Sequence, residues 1–229
     1  MDYLSVNKIN HLYWLGRYQA RVGTLLFYMS DCYDKMIDGQ PGEYTHFWQR
    51  LDTAGCYQTH DDFTYGMLYD DTNPSTLISA QNNAMNNAIL LREDILSETL
   101  SYLEMSIALI KRCKEERATN ISKLQPVIDW SLAFWGSAEQ RLQNHKALAI
   151  MMIGRNVENL DMLLRFDYSF RRILLAYNSL KRYFRDVSHI VDENIQQQIE
   201  GLLTEELFDL NDAEYKNKLI KYVNLLVRV

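Results

Sequence analysis

"VNKINHLYWLGRYQARVGTLLFYMSDCYDKM", residues 6 to 36, carries apolar or small side chains at Ile9, Leu12, Tyr13, Gly16, Ala20, Leu26, Met29, Tyr33 and Met36. Steps of three and four residues put these positions on one face of a helix. The spacing predicts a single helix from about Val6 to Met36, stopped by the Gly and Pro of "DGQPG" at 38–42. Residues 43–72 lack a sustained period and are rich in aromatics, with short helical pieces expected at 45–53 and 60–68. Asn73-Pro74 reads as an N-cap followed by a first-turn proline, opening a helix that Ala84, Ala88, Leu91, Ile95, Leu103, Ile107 and Ile110 carry to about Glu116. Ser122 with Gln125 and Ser137 with Gln140 fit capping boxes, with a break expected at Gly136. Further helices are expected at 138–165 and along the stripe Phe170, Ile173, Leu174, Tyr177, Leu180 and Phe184. A last helix is expected behind a cap at Asn211.

No strand-period alternation competes with these patterns, and nine Gly with three Pro in 229 residues leave little material for a turn-rich β fold. The expected class is all-α. The expected architecture is a single-domain bundle of long amphipathic helices over residues 1–229, with an irregular, aromatic-rich connection near 40–72. A chain of this length buries roughly 70% of its unfolded surface.

A net charge of −6 argues against nucleic acid as the main partner, because counterion release needs clustered Lys and Arg. Cys32, Cys56 and Cys113 stand far apart with no CxxC spacing, which reads as reduced thiols in the cytoplasm. The first residues show no apolar run of signal-peptide type, and "ALAIMMIG" at 147–154 is too short to span a bilayer, so no membrane is implied. Glu43 and His46 have the Glu-x-x-His spacing of a di-iron bundle, but no second such motif accompanies them, and neither metal nor cofactor is expected. Residues 192–214 hold eight acids and no Lys or Arg, behind a helix bearing Arg171, Arg172, Lys181, Arg182 and Arg185.

Within the first helix, "GRYQARVGTLL" at 16–26 has a counterpart, "GRNVENLDMLL", at 154–164, every position displaced by 138 residues. One repeated fragment is less than a repeated fold, but it marks two helices in comparable roles, facing one another. On the first, Tyr13, Arg17 and Arg21 recur every four residues and stack along one side. Gly16, Ala20 and Gly23 form a small-residue strip beside them. On the second, Arg155, Glu158 and Asp161 follow Gly154. Packing of the two would bring Glu158 to Arg21 or Arg17. Two readings follow. One is a buried structural ion pair, with Arg21–Glu158 the favoured form. The other is an arginine-containing interhelical pocket for a carboxylate or phosphate, whose oxygens match the guanidinium fork.

"LYWLGRYQAR" at 12–21, "NPSTL" at 73–77, "LREDILSE" at 91–98 and "IGRNVENLD" at 153–161 resemble the alpha-E family, from residue 9 to about 165 and more weakly beyond. The resemblance implies a bacterial all-helical domain with a repeated Glu-Arg motif. It also implies an association with ATP-grasp-type amide ligases or transglutaminase-like proteins, and a role in peptide synthesis or modification. The family's two Glu-Arg pairs fall on Ala20-Arg21 and Glu158-Asn159, so each copy keeps one half. Where the family has a string like "ARENAR", this chain has Ala84 to Ile89, and Asn87 and Arg92 are what the resemblance adds to the candidate site. The expected function is therefore a helical accessory subunit of an amide-bond-forming system. The alternatives are an enzyme in its own right, acting on a carboxylate- or phosphate-bearing substrate, and a purely structural scaffold. Oligomeric state is not legible.

Overall fold

In the computed structural model, which describes residues 4–39, 43–51 and 57–229, the opening stretch is one helix, α1, Val6–Ile37. The breakers at 40–42 and Cys56 lie outside the described residues. Nine more α-helices follow among the described residues: α2 (Glu43–Arg50), α3 (His60–Tyr69), α4 (Leu77–Leu90), α5 (Arg92–Glu115), α6 (Gln125–Arg141), α7 (His145–Arg165), α8 (Phe170–Lys181), α9 (Glu193–Leu202) and α10 (Ala213–Leu225). The only sheet-like pairing among them is an isolated antiparallel bridge between Val191 and Val227, so the fold class is all-α. Among the described residues no helix is long and apolar enough to cross a membrane.

The residues cluster into two compact units, one of Met1–Arg17 with Gln143–Val229, the other of Tyr18–Leu142. Helix α1 contributes to both. In the first unit α7 is the central element. It buries Ile150, Ile153, Val157, Leu160 and Leu164 completely, and Glu158 and Asp161 with them. Helices α8 and α10 pack on it, and α9 packs on α10. The acidic stretch after α8 is answered inside this unit, by Lys181 on Glu200 and by Arg228 on Asp192, both at 2.7 Å.

In the second unit α5 packs against α4 and α6, with α3 lying on α4 and α5. The aromatic-rich connection is a small core of its own. Phe63 meets Phe47 at 5.3 Å between ring centroids, Tyr57 at 5.7 Å and Tyr44 at 5.8 Å, and Trp48 stacks 5.7 Å from Tyr57. Such pairs add stability beyond the area they bury. Cys32 and Cys113 are buried free thiols, and burial, with Glu43 nearby, pushes the Cys32 thiol up to about 12.

Several helix limits differ from the sequence expectation, each for a local reason. Asn73 spends its side chain on the Ser75 amide at 2.9 Å, and Thr76 becomes the cap of α4 instead. The helix expected to run unbroken to Glu116 is interrupted at Leu91 and again at Leu96, whose φ of 61° is a left-handed value at a residue with a Cβ. Gly136 lies inside α6 rather than at a break. Ser137 is not a cap, because its hydroxyl bonds that of Thr99 at 2.7 Å, and the break comes later, where Asn144 caps α7. Asp212, not Asn211, caps α10.

One polar residue in the second unit goes against the packing. Gln81 is fully buried in α4, and among the described residues neither atom of its carboxamide has a hydrogen-bond partner. An unpaired buried amide costs about 1–3 kcal/mol. Gln81→Leu should therefore raise the stability measured by urea unfolding by about 1–2 kcal/mol. A loss of stability would contradict an unpaired amide at this position.

Candidate functional site

The two repeated strings meet through their glycines within the first unit. A Cβ on Gly16 would fall on the carbonyl oxygen of Met151 and 3.1 Å from the amide nitrogen of Arg155. A Cβ on Gly154 would fall on the carbonyl oxygen of Tyr13 and 3.1 Å from the amide nitrogen of Arg17. The contact is reciprocal: Gly16 meets Met151 and Arg155, and Gly154 meets Tyr13 and Arg17, which stand 138 positions before them. Only glycine lets two helix backbones come this close. The approach puts Arg17 of α1 directly against the buried side of α7.

Arg17 is 5% exposed and Glu158 is fully buried, so neither charge is shared with bulk water. The guanidinium donates from Nε to Glu158 Oε2 at 2.8 Å, and Nη2 lies 2.7 Å from the same oxygen. Its Nη1 donates to Asn224 Oδ1 of α10 at 2.7 Å. Asn224 Nδ2 in turn donates to Asp161 Oδ1 at 2.7 Å and to the Ile220 carbonyl at 2.9 Å. Asp161, itself 2% exposed, accepts from Arg165 Nε at 2.7 Å through its other oxygen. The guanidinium also sits over the rings of Trp14 and Tyr13, 5.5 and 6.0 Å from their centroids. The result is a chain of hydrogen-bonded groups tying α1, α7 and α10, in which two arginines balance two carboxylates.

The electrostatics follow from this geometry. Burial alone would lower the affinity of Arg17 for its proton. Glu158, Tyr13 and Asp161 more than offset it, so the guanidinium stays charged more firmly than in water. Burial likewise holds the Tyr13 hydroxyl above its ordinary range, opposed by Arg17 beside it. Removing one partner of such a group strands the other charge in a medium that solvates it badly.

Of the sequence candidates, Tyr13, Arg17, Glu158 and Asp161 are brought together here. Glu158 bonds Arg17, one of the two arginines the spacing offered. Arg155 lies on the same crossing, beside Gly154, and is half-buried. Arg21, Asn87 and Arg92 belong to the second unit. There the Arg21 carbonyl accepts from the Thr24 hydroxyl at 3.1 Å, Asn87 Nδ2 donates to the Asn83 carbonyl at 2.8 Å, and Arg92 is exposed at the start of α5.

Sequence reasoning missed Asn224 and Arg165. The second was legible, standing one turn after Asp161 in the favourable acid-first order. Asn224 carried no signal, since an asparagine in a terminal amphipathic helix reads as surface. Glu43, the acid of the Glu-x-x-His spacing, faces Lys35 at 3.5 Å and Arg50 at 3.8 Å. Among the described residues no group of three or more His, Cys, Asp or Glu is arranged to hold a metal ion.

Compared with known proteins, the chain matches the Alpha-E family, a predicted alpha-helical domain with a conserved ER motif, over residues 7–203. No curated protein and no solved structure shows a comparable match.

Arg17→Met takes from the buried Glu158 carboxylate the guanidinium it is bonded to and should cost about 3–5 kcal/mol in urea unfolding. Arg17→Met combined with Glu158→Leu removes both charges and should recover more than half of that loss. A double variant as damaged as the sum of its singles would overturn the pairing.

Proposed function

The chain belongs to the Alpha-E family, and on that basis we propose that it is a cytoplasmic helical partner of an ATP-grasp-type, amide-bond-forming protein. The observation that carries this reading is the use made of Arg17 and Glu158. The guanidinium has all three of its nitrogens on Glu158 and Asn224, and Glu158 is fully buried. Groups held in this way lock the positions of helices, and a lock presents no loose cation to a substrate anion. The reading is also supported by what stands around the cluster. Its members are arginines, carboxylates, an amide and aromatic rings, with no serine, cysteine or histidine among the contacts described to act as a nucleophile or proton carrier.

The rigid unit built around α7 then supplies a fixed surface, and chemistry is left to the protein it serves. The bacterial character that the resemblance implies fits a small accessory subunit working beside a ligase or a transglutaminase-like protein.

Affinity purification of the tagged chain from its native host, followed by mass spectrometry, should enrich an ATP-grasp or transglutaminase-like protein. That complex should form amide bonds faster than the ligase alone. Turnover of a carboxylate or phosphate substrate by the isolated chain, abolished by Arg17→Met in a protein that stays folded, would contradict the partner reading.

A further inference from the structure

A groove of about 620 Å³ lies between α4 and α5 in the second unit. The two helices form a hairpin, joined through Leu91 and the interruption at Leu96, and so run antiparallel. Half-buried Met85 and Ile107 form its apolar floor. Asn82 and Asn86 of α4 line one side, and Glu104 and Lys111 of α5 line the other. Among the described residues none of these four polar side chains has a hydrogen-bond or ion-pair partner. Asn87, one residue on, turns its amide back onto its own helix.

The spacing of these unused groups is specific. Asn82 and Asn86 are one turn apart, about 6 Å along the axis. That is close to the roughly 6.7 Å between alternate residues of an extended peptide. Each carboxamide offers a donor and an acceptor, the complement of a peptide unit's carbonyl and N–H. Glu104 and Lys111 are two turns apart, about 10 Å, and carry opposite charges. Three residues of extended chain span about 10 Å. In the antiparallel hairpin Asn82 and Lys111 lie toward the open end, and Asn86 and Glu104 toward the connection.

We propose that the α4/α5 groove binds a short extended peptide of about three residues with free ends. Its carboxylate lies on Lys111, its ammonium on Glu104, and its main chain on Asn82 and Asn86. A single amino acid has no peptide unit to offer Asn82 and Asn86, and a capped peptide of the same length loses one of the two charges. Small side chains suit a floor this shallow. The proposal stands on the groove alone and needs no partner protein.

The probe is trialanine, titrated into the full chain and followed by amide NMR. The expected result is a set of shifts confined to α4 and α5, saturable at millimolar peptide. Lys111→Gln and Glu104→Gln should each weaken binding about threefold to fivefold, the effect of one exposed ion pair. Amidation of the peptide's carboxylate should weaken binding to the parent chain by a similar factor and add little to Lys111→Gln. All the substituted side chains are solvent-facing, so the variants keep the fold. The proposal is overturned by an absence of shifts in α4 and α5. It is equally overturned by binding that ignores both charge substitutions, or by free alanine binding as well as trialanine.

Discussion

Two helix backbones touching at Gly16 and Gly154 set the distance on which the rest of the first unit depends. The side chain following Gly16 is an arginine, and at 5% exposure it is shut off from water. Burying a guanidinium is affordable only against a carboxylate with good geometry, and Glu158 stands one turn beyond Gly154 to supply it. The remaining donor direction is met from a third helix, by Asn224, which passes the network on to Asp161 and Arg165. The close approach places Arg17 against α7, the buried charge requires a partner, and Asn224 ties α10 to that pair.

The same network explains how α7 can be buried on nearly every side while carrying two carboxylates. Glu158 and Asp161 are three residues apart, and each accepts from a guanidinium, Glu158 from Arg17 and Asp161 from Arg165. The end of the helix is secured separately. Asp167 takes a φ of 58°, the Tyr168 amide returns to the Leu163 carbonyl at 3.1 Å, and Lys216 reaches both the Arg165 carbonyl and the Asp167 carboxylate. This is the hydrogen-bond pattern that closes helices with glycine, achieved here without one.

The fold class was legible because apolar periodicity over thirty or more residues outweighs any local ambiguity, as α1 shows. The meeting of the two strings was legible too, since a glycine that recurs beside an arginine at a fixed offset has few other uses. Local competition hid the rest. Thr76 outbid Asn73 as a cap because the Asn73 side chain closed its own turn. The break at Leu96 and the left-handed end at Arg117 have no glycine to announce them. Asn224 reached the charge cluster from the part of the chain where the family resemblance fades. Its role comes from three-dimensional docking, which a single sequence does not display.

The central claim is that reciprocal glycine contact, with the Arg17–Glu158 pair it enforces, holds the first unit together. Unfolding Gly16→Ala, Gly154→Ala and Gly136→Ala in urea tests it most directly. A Cβ at Gly16 or Gly154 meets backbone that cannot turn aside, whereas one at Gly136, exposed within α6, meets nothing within 4 Å. Gly16→Ala and Gly154→Ala should each lose about 2–3 kcal/mol, by similar amounts because the contact is mutual. Gly136→Ala should gain up to about 1 kcal/mol from helix propensity alone. A Gly16→Ala or Gly154→Ala protein that gains stability as Gly136→Ala does would contradict the claim.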